Sequence, residues 1–241
     1  MVESRLQRAK AARQPMLALE AAAKDYGDLV ALHPCDLEVP AGQSVALVGH
    51  NGSGKSTLLR MAAGLLDPSG GSILVGGAEA GSLAARATTS FIPDEPVLYD
   101  DLSVREHLEY VSAIHGAPAT AEELDELIER LGLTARADDL PARFSRGLRQ
   151  RAGLGVGLIR PFALLLVDEP FVGLDAGGKA ALLELLDEAS EQGATLVVAT
   201  HDPTFVERVD RCIALRDGEV VHDGAGETTE GVLDLMKAVA A

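Results

Sequence analysis

The sequence predicts an α/β protein built on a mainly parallel sheet, and three features of the chain support this class. An apolar run at Ser44–Val48 leads into a glycine-rich loop and then a helix-like segment at 56–63. Later apolar runs are separated by segments with helical periodicity. Strands that alternate with helices favour a parallel sheet. The later runs lie at 162–167, 195–200 and 211–215.

The first part of the chain is predicted to be rich in β-structure. Strand-like runs between residues 16 and 48 are interrupted by Gly27 and by the turn residues at 40–42. A further strand at 73–75 ends at a pair of glycines. We expect these strands to form an N-terminal antiparallel β subdomain around the glycine-rich loop.

Helical periodicity replaces the strand pattern between about residues 102 and 150. Val104, Leu108 and Val111 share one helical face, and a second apolar face follows at 124–131. The segment is predicted to be a helical insert at about 97–152.

The last third returns to strands and helices. Helical segments are predicted near 179–192 and 204–209, and the dipeptide Asp217-Gly218 predicts a short hairpin. The whole is interpreted as one domain at 16–230, with tails at 1–15 and 231–241.

Composition excludes several classes of protein. The 241 residues are 47% hydrophobic, which indicates a folded chain, and carry a net charge of −16, which opposes binding to nucleic acid or to anionic lipid. No apolar stretch approaches the roughly 18 residues that a membrane span requires, and the first 14 residues are charged rather than signal-like. We therefore expect neither membrane insertion nor export. Cys35 and Cys212 lack metal-site spacing and are expected to be buried bystanders.

The glycine-rich loop carries the strongest chemical signal. It fits the phosphate-loop pattern G-x-x-x-x-G-K-[ST], with a strand before it and a helix after it. Its backbone amides and the helix N-terminus are suited to a polyanion. Lys55 is expected to reach the β- and γ-phosphates of a nucleotide, and Ser56 to hold Mg²⁺. The predicted nucleotide-binding residues are Gly49, His50, Asn51, Gly52, Ser53, Gly54, Lys55, Ser56 and Thr57.

A second motif lies more than a hundred residues later, where an apolar strand at 162–167 ends in Asp168 and Glu169. A buried strand fixes Asp168 at the carboxyl edge of the sheet, where it can hold Mg²⁺ through water. Glu169 is then placed to polarise the attacking water. An Asp-Glu pair can also be two solvated acids at the end of a strand, but its combination with the phosphate loop favours the catalytic interpretation.

With these motifs in order, the chain resembles the ATP-binding subunits of ABC transporters over nearly all of residues 16–225. The segment at 144–151 falls at the family's signature, 91–96 at its Q-loop and 173–175 at its D-loop. The corresponding residues are Ser145 and Gly147 of the signature, Asp94 of the Q-loop, Asp175 of the D-loop, His201 as the switch histidine and Tyr26 as the aromatic residue that stacks on adenine.

The resemblance implies a P-loop NTPase fold and an ATPase that works with Mg²⁺. It assigns catalysis to Lys55, Glu169 and His201, and metal binding to Ser56, Asp168 and Asp94. Two copies would pack head to tail around two ATP, with each ATP held between the phosphate loop of one copy and the signature of the other. They would drive a separate permease, as a cytoplasmic homodimer at the inner face of the membrane. The alternatives are a soluble ATPase of this type acting on a non-membrane partner such as an Fe–S assembly scaffold, and a module that no longer hydrolyses ATP.

Several of these residues also have a purely structural interpretation. Ser145 and Asp175 could be helix caps, His201 a strand-end histidine and Tyr26 a core tyrosine. Arg146 and Leu148 depart from the family's signature and look like variants of exporters whose permease is a separate chain, while Asp94 replaces the Q-loop glutamine.

The segment 94–101 is predicted to be part of the docking surface for the permease. Val97, Leu98 and Tyr99 form an apolar patch rimmed by acids, a composition typical of an interface. The alternative is that these three side chains pack inward.

Overall fold

The structure is a computed structural model that describes residues 15–225 and Gly231. The predicted tails, apart from Pro15 and Gly231, lie outside the described residues. The strands are β1 (Pro15–Tyr26), β2 (Leu29–Pro40), β3 (Ser44–Val48), β4 (Gly70–Val75), β5 (Ala78–Glu79), β6 (Thr89–Ile92), β7 (Leu164–Asp168), β8 (Thr195–Ala199), β9 (Arg211–Arg216) and β10 (Glu219–Ala225). The helices are α1 (Lys55–Ala62), α2 (Leu83–Thr88), α3 (Val104–Ile114), α4 (Ala121–Arg130), α5 (Arg146–Leu158), α6 (Ala176–Glu191) and α7 (Pro203–Val206), with short 3₁₀ turns at Thr134–Arg136 and Pro141–Arg143.

The larger sheet is mainly parallel and has the strand order β10-β9-β3-β8-β7-β6, with β10 antiparallel at one edge. Every residue of β3, β7 and β8 is buried. Alternate residues of β3 belong to different hydrophobic clusters, Ala46 and Val48 to one and Val45 and Leu47 to the other. The sheet is therefore covered on both faces, as parallel sheets require, and the predicted mainly parallel sheet is confirmed.

The smaller sheet has the order β2-β1-β4-β5 with antiparallel pairing throughout. It confirms the predicted antiparallel β subdomain. Its inward residues, among them Leu17, Leu37 and Ile73, join the hydrophobic cluster that also covers one face of the parallel sheet.

The helical insert contains α3, α4 and the start of α5, which continues to Leu158, past the predicted boundary near 152. These three helices supply Leu108, Ile128 and Leu154 to the other hydrophobic cluster. Two capping boxes set the starts of its first two helices, at Ser103 for α3 and Thr120 for α4. The local sequence did not reveal α2, β5 or β6. The strands β5 and β6 have only two and four residues, which is too short for periodicity to be read.

Cys35 and Cys212 are both buried, as predicted. Within the described part of the chain, no helix is long and apolar enough to cross a membrane.

Candidate active site

The phosphate loop connects the end of β3 to the start of α1 and is held by the side chain of Lys55. This side chain is buried, and its Nζ donates hydrogen bonds to the carbonyl oxygens of Gly49 at 2.7 Å and His50 at 3.2 Å. Gly54 precedes α1 with φ = 106°. A Cβ at this position would lie 2.6 Å from the carbonyl oxygen of Ala31, so the turn requires glycine.

The turn between β9 and β10 braces this loop from outside, a contact that the sequence did not predict. The amide of Gly218 donates to the carbonyl oxygen of Ser53 at 3.0 Å. The Oδ1 atom of Asp217 lies 3.3 Å from Nε2 of His50. The neighbouring strand β2 also contacts the turn, because the amide of His33 donates to the carbonyl oxygen of Gly218 at 2.9 Å. The loop is therefore braced by the β9–β10 turn, which β2 holds in place, in addition to its own hydrogen bonds.

A cavity of about 330 Å³ opens over the loop. It brings together the phosphate loop, the end of β7 and the segment after β6, three places far apart in the sequence. Its lining consists of Ala31, Asn51, Gly52, Ser53, Gly54, Lys55, Ser56, Thr57, Asp94, Asp168 and Glu169. The cavity therefore combines anion-binding backbone with three carboxylates.

Asp168 is the last residue of β7 and is almost completely buried. Burial raises the pKa of its carboxyl above the usual value, as does the negative charge of Asp94, while a hydrogen bond from Ser56 and the charge of Lys55 lower it. Its Oδ1 atom is buried without a hydrogen-bond partner. A buried carboxylate oxygen without a partner, next to a serine hydroxyl, is suited to a hard cation or its water.

Glu169 follows the strand in a left-handed conformation with φ = 46°, which is rare for a residue with a side chain. Its amide donates to the carbonyl oxygen of Ala199 at 2.8 Å, which ties this conformation to the end of β8. One carboxylate oxygen, Oε1, lies 3.7 Å from Nζ of Lys55, and the other, Oε2, lies 2.9 Å from Nδ1 of His201. The structure thus brings together the three residues predicted to be catalytic.

The signature segment precedes and begins α5. Ser145 is the N-cap of this helix and accepts a hydrogen bond from the amide of Leu148 at 3.3 Å. A Cβ on Gly147 would lie 2.7 Å from the carbonyl oxygen of Gly173, so the signature packs directly on the D-loop. Arg146 lies beside Asp94, with Nη2 to Oδ1 at 3.5 Å.

Six predicted nucleotide-binding residues do not line this cavity, namely Gly49, His50, Ser145, Gly147, Asp175 and Tyr26. Asp175 caps α6 by accepting from the amide of Gly178 at 2.8 Å, and it also pairs with Arg151 at 2.6 Å. These contacts lower the pKa of Asp175, the hydrogen bond from Gly178 most strongly. Tyr26 ends β1 with an exposed side chain, so it is not a core tyrosine. The Nζ of Lys24 lies 5.2 Å from the centre of its ring.

The fold and the site define a P-loop NTPase. The parallel sheet, the loop between β3 and α1, and the carboxylates after β7 have the arrangement that this class uses for nucleotide triphosphates.

Comparison with known proteins specifies the family. A family profile for ABC transporters matches residues 32–172. The macrolide export ATP-binding/permease protein MacB 1 of Aeromonas hydrophila is 36% identical over 230 residues, which cover 90% of this chain and 36% of that protein. The SkfA peptide export ATP-binding protein SkfE of Bacillus subtilis is 35% identical over 188 residues, which cover 77% of this chain and 79% of that protein. The chain thus spans about a third of MacB 1.

Comparison with solved structures gives the same family. An ATP-binding subunit of an ABC transporter superposes with a TM-score of 0.82 at 30% identity, covering 91% of this chain and 99% of that one. The ATP-binding cassette MJ0796, in a dimeric post-hydrolysis state bound to ADP and phosphate, superposes with a TM-score of 0.78 at 26% identity, covering 88% and 99%. The chain belongs to the ABC transporter family, and it is an ATP-hydrolysing cassette of that family.

Proposed function

We propose that this cassette powers an exporter by driving a separate membrane permease, as a homodimer that closes around two ATP. The observation that carries the proposal is the cavity in which Lys55, Asp168 and Glu169 converge. Export is supported by the names of the relatives, since MacB 1 and SkfE are both described as export proteins. We place the ATPase domain at 16–230, its helical insert at about 97–152, and the working protein at the inner face of the membrane.

In this proposal the phosphate loop binds the nucleotide. Its backbone amides, at the N-terminus of α1, face the α- and β-phosphates, and Lys55 leaves its backbone acceptors to contact the β- and γ-phosphates. Tyr26 is proposed to stack on adenine. Its exposed position at the end of β1 is compatible with this role because one face of the ring must remain accessible.

Ser56 and Asp168 are proposed to hold Mg²⁺, and their chemistry fits the ion. When bound, the ion neutralises charge on the β- and γ-phosphate oxygens. Within the described ranges no three side chains of the His, Cys, Asp and Glu types cluster as a metal site. This agrees with Mg²⁺ being bound through one or two protein oxygens together with substrate phosphates. Asp94 is proposed as a third, outer contact.

Glu169 is proposed to accept a proton from the attacking water. His201 orients its carboxylate, because a carboxylate only accepts hydrogen bonds and Nδ1–H must therefore be the donor across the 2.9 Å contact. Ser145 and Gly147 of the partner copy are proposed to contact the γ-phosphate, and Asp175 to lie at the same dimer interface. Loss of the γ-phosphate would then remove contacts that join the two copies.

The permease is proposed to dock on an apolar strip along the helical insert. Val97 is 90% exposed, Tyr99 packs edge-on against Tyr110, and Ile114 follows one turn later on α3. The strip continues into a cleft of about 460 Å³ next to His115. The exposed Leu65 and Leu83 line this cleft, with Phe91, Arg86 and Arg160. Exposed apolar surface of this extent is typical of a protein interface.

The predicted docking segment at 94–101 requires one correction. Leu98 is partly buried and packs against the hydrophobic core of the insert, so it is not part of an exposed patch. The amide of Tyr99 donates to Nε2 of the buried His107 at 2.8 Å, which holds the segment on α3. Val97 and Tyr99 remain as the outward residues.

Two measurements test the proposal. Phosphate release by the purified chain with Mg²⁺ and ATP tests the site, and identification of the membrane protein that co-purifies with the tagged chain from its own cells tests the permease. A polytopic membrane protein recovered in stoichiometric amount is the expected result. Recovery of an Fe–S assembly protein in its place would favour the soluble alternative, and absence of phosphate release would overturn the ATPase role.

A further inference from the structure

Two of the three positions that depart from the family pattern, Asp94 and Arg146, contact each other. Asp94 stands at the Q-loop glutamine and Arg146 at a signature glycine, and their Oδ1 and Nη2 atoms are 3.5 Å apart. Both side chains are partly exposed, 42% and 63% respectively, so the contact is not a consequence of a crowded core.

Asp94 creates an electrostatic problem in the cavity. It lines the same cavity as Asp168 and Glu169. A third carboxylate next to a nucleotide triphosphate repels the phosphates, because screening is weak in a partly enclosed site. A cation close to Asp94 offsets this repulsion.

Arg146 is not explained by the stability of its own helix. It is the first residue of α5, where the positive end of the helix dipole disfavours a cation. The helix already has its N-cap in Ser145. The middle of the same helix is closely fitted to the segment after Asp94: Gly153 of α5 lies against Pro96, and a Cβ there would come within 2.3 Å of the proline ring. The segment after Asp94 therefore contacts α5 directly, two turns beyond Arg146.

We propose that Asp94 and Arg146 form a positioning pair, which replaces the family's Gln and Gly. Arg146 neutralises Asp94 beside the phosphates and ties the start of the signature helix to the nucleotide cavity of its own chain. When a nucleotide enters or leaves the cavity that Asp94 lines, the signature segment then shifts. This segment is the one that contacts the ATP bound by the partner copy. This inference rests on the proposed ATP site and extends it.

A double-mutant cycle tests the pair, using Arg146→Gly, Asp94→Gln and the double variant that restores the family pattern. Arg146→Gly leaves Asp94 uncompensated, so we expect KM for ATP to rise about two- to fivefold, the range of a partly exposed ion pair. The double variant should recover most of this loss, because the repelling carboxylate is gone while the amide oxygen of Gln can still contact Mg²⁺ through water. Arg146→Lys should retain most of the wild-type KM, and the effect of Arg146→Gly should shrink as salt is raised.

Controls separate this role from a structural one. Arg149→Gln changes a nearby arginine that lines one cleft together with Asp94 and Arg146, and this variant should leave KM unchanged. Melting temperatures should be equal across the set of variants. The proposal would be overturned if the effects of the two substitutions on KM were additive, or if KM for Arg146→Lys were as high as KM for Arg146→Gly. The same cycle run on equilibrium binding of a fluorescent ATP analogue does not require turnover. Absence of hydrolysis in the wild type would therefore count against the proposed function alone.

Discussion

The Nδ1 atom of His201 lies 2.9 Å from Oε2 of Glu169 although the two residues come from the ends of different strands, β8 and β7. The other oxygen of the same carboxylate lies 3.7 Å from the phosphate-loop lysine. Glu169 is thus placed between the group that would orient it and the group that would hold the phosphates. This placement gives the first prediction.

Glu169→Gln should reduce ATP turnover by about 10²- to 10⁴-fold, the range for loss of a general base. The amide retains the shape of the side chain, so ATP should still bind and the variant should accumulate as an ATP-bound dimer. Phosphate release and size-exclusion chromatography measure the two effects. Wild-type turnover in the variant would rule out the role of Glu169 as the base.

Lys55 and Ser145 should act on the same ATP from opposite copies. Lys55→Ala and Ser145→Ala chains should each have weak activity alone. Mixing them should restore activity, because each heterodimer would contain one site with both residues intact. Mixing Lys55→Ala with the Lys55→Ala/Ser145→Ala double variant is the control and should restore none. If both mixtures give only the sum of their parts, the head-to-tail arrangement is wrong.

His115 should make the fold less stable in mild acid. Partial desolvation beside the cleft lowers the pKa of this otherwise exposed histidine, and the positive charges of Arg160 and Arg86 lower it further. The unfolded chain then takes up the proton more readily than the folded one, so the free energy of unfolding falls as pH drops through the ordinary histidine value of about 6.5. His115→Gln should lose less stability than wild type between about pH 7.5 and 5.5 in urea titrations.

The exposed His33 provides a matched control for this measurement. His33→Gln should keep the wild-type dependence on pH if the effect belongs to His115. An unchanged pH dependence in His115→Gln would show that the cationic cleft does not influence this histidine.

Val97→Asp with Tyr99→Ala should separate docking from catalysis. Both side chains point outward, so ATP binding by the isolated chain should survive while the co-purifying membrane protein is lost. Leu98→Asp is expected to act differently, because Leu98 packs on the hydrophobic core and its replacement should lower the melting temperature. Leu140→Asp, at an exposed leucine outside the apolar strip, should change neither the recovery of the membrane protein nor the melting temperature. Retention of the membrane protein by the double variant would exclude this surface.

The local sequence was sufficient to predict the elements that have a recognisable motif or hydrophobic pattern. The phosphate loop lies between β3 and α1 as predicted, because a five-residue apolar run and the glycines define their own geometry. Asp168 lies at the end of β7 for the same reason, since a continuous apolar run predicts a buried parallel strand. The shortest strands, β5 and β6, escaped prediction because pairing with neighbours, rather than periodicity, makes them strands.

The sequence alone determined the phosphate loop, the two carboxylates at the end of β7 and the family that the chain resembles, since these follow from motifs at fixed local spacing. Only the tertiary structure decided which distant residues meet. It placed Asp94 against Arg146, Asp217 against His50, and His107 under Tyr99. The first two pairs join residues far apart in the chain, and all three depend on how strands and helices pack, which no local pattern encodes. It also turned Leu98 inward and left Val97 exposed, because the path of the loop, rather than the polarity of its residues, decides which side chain reaches the core.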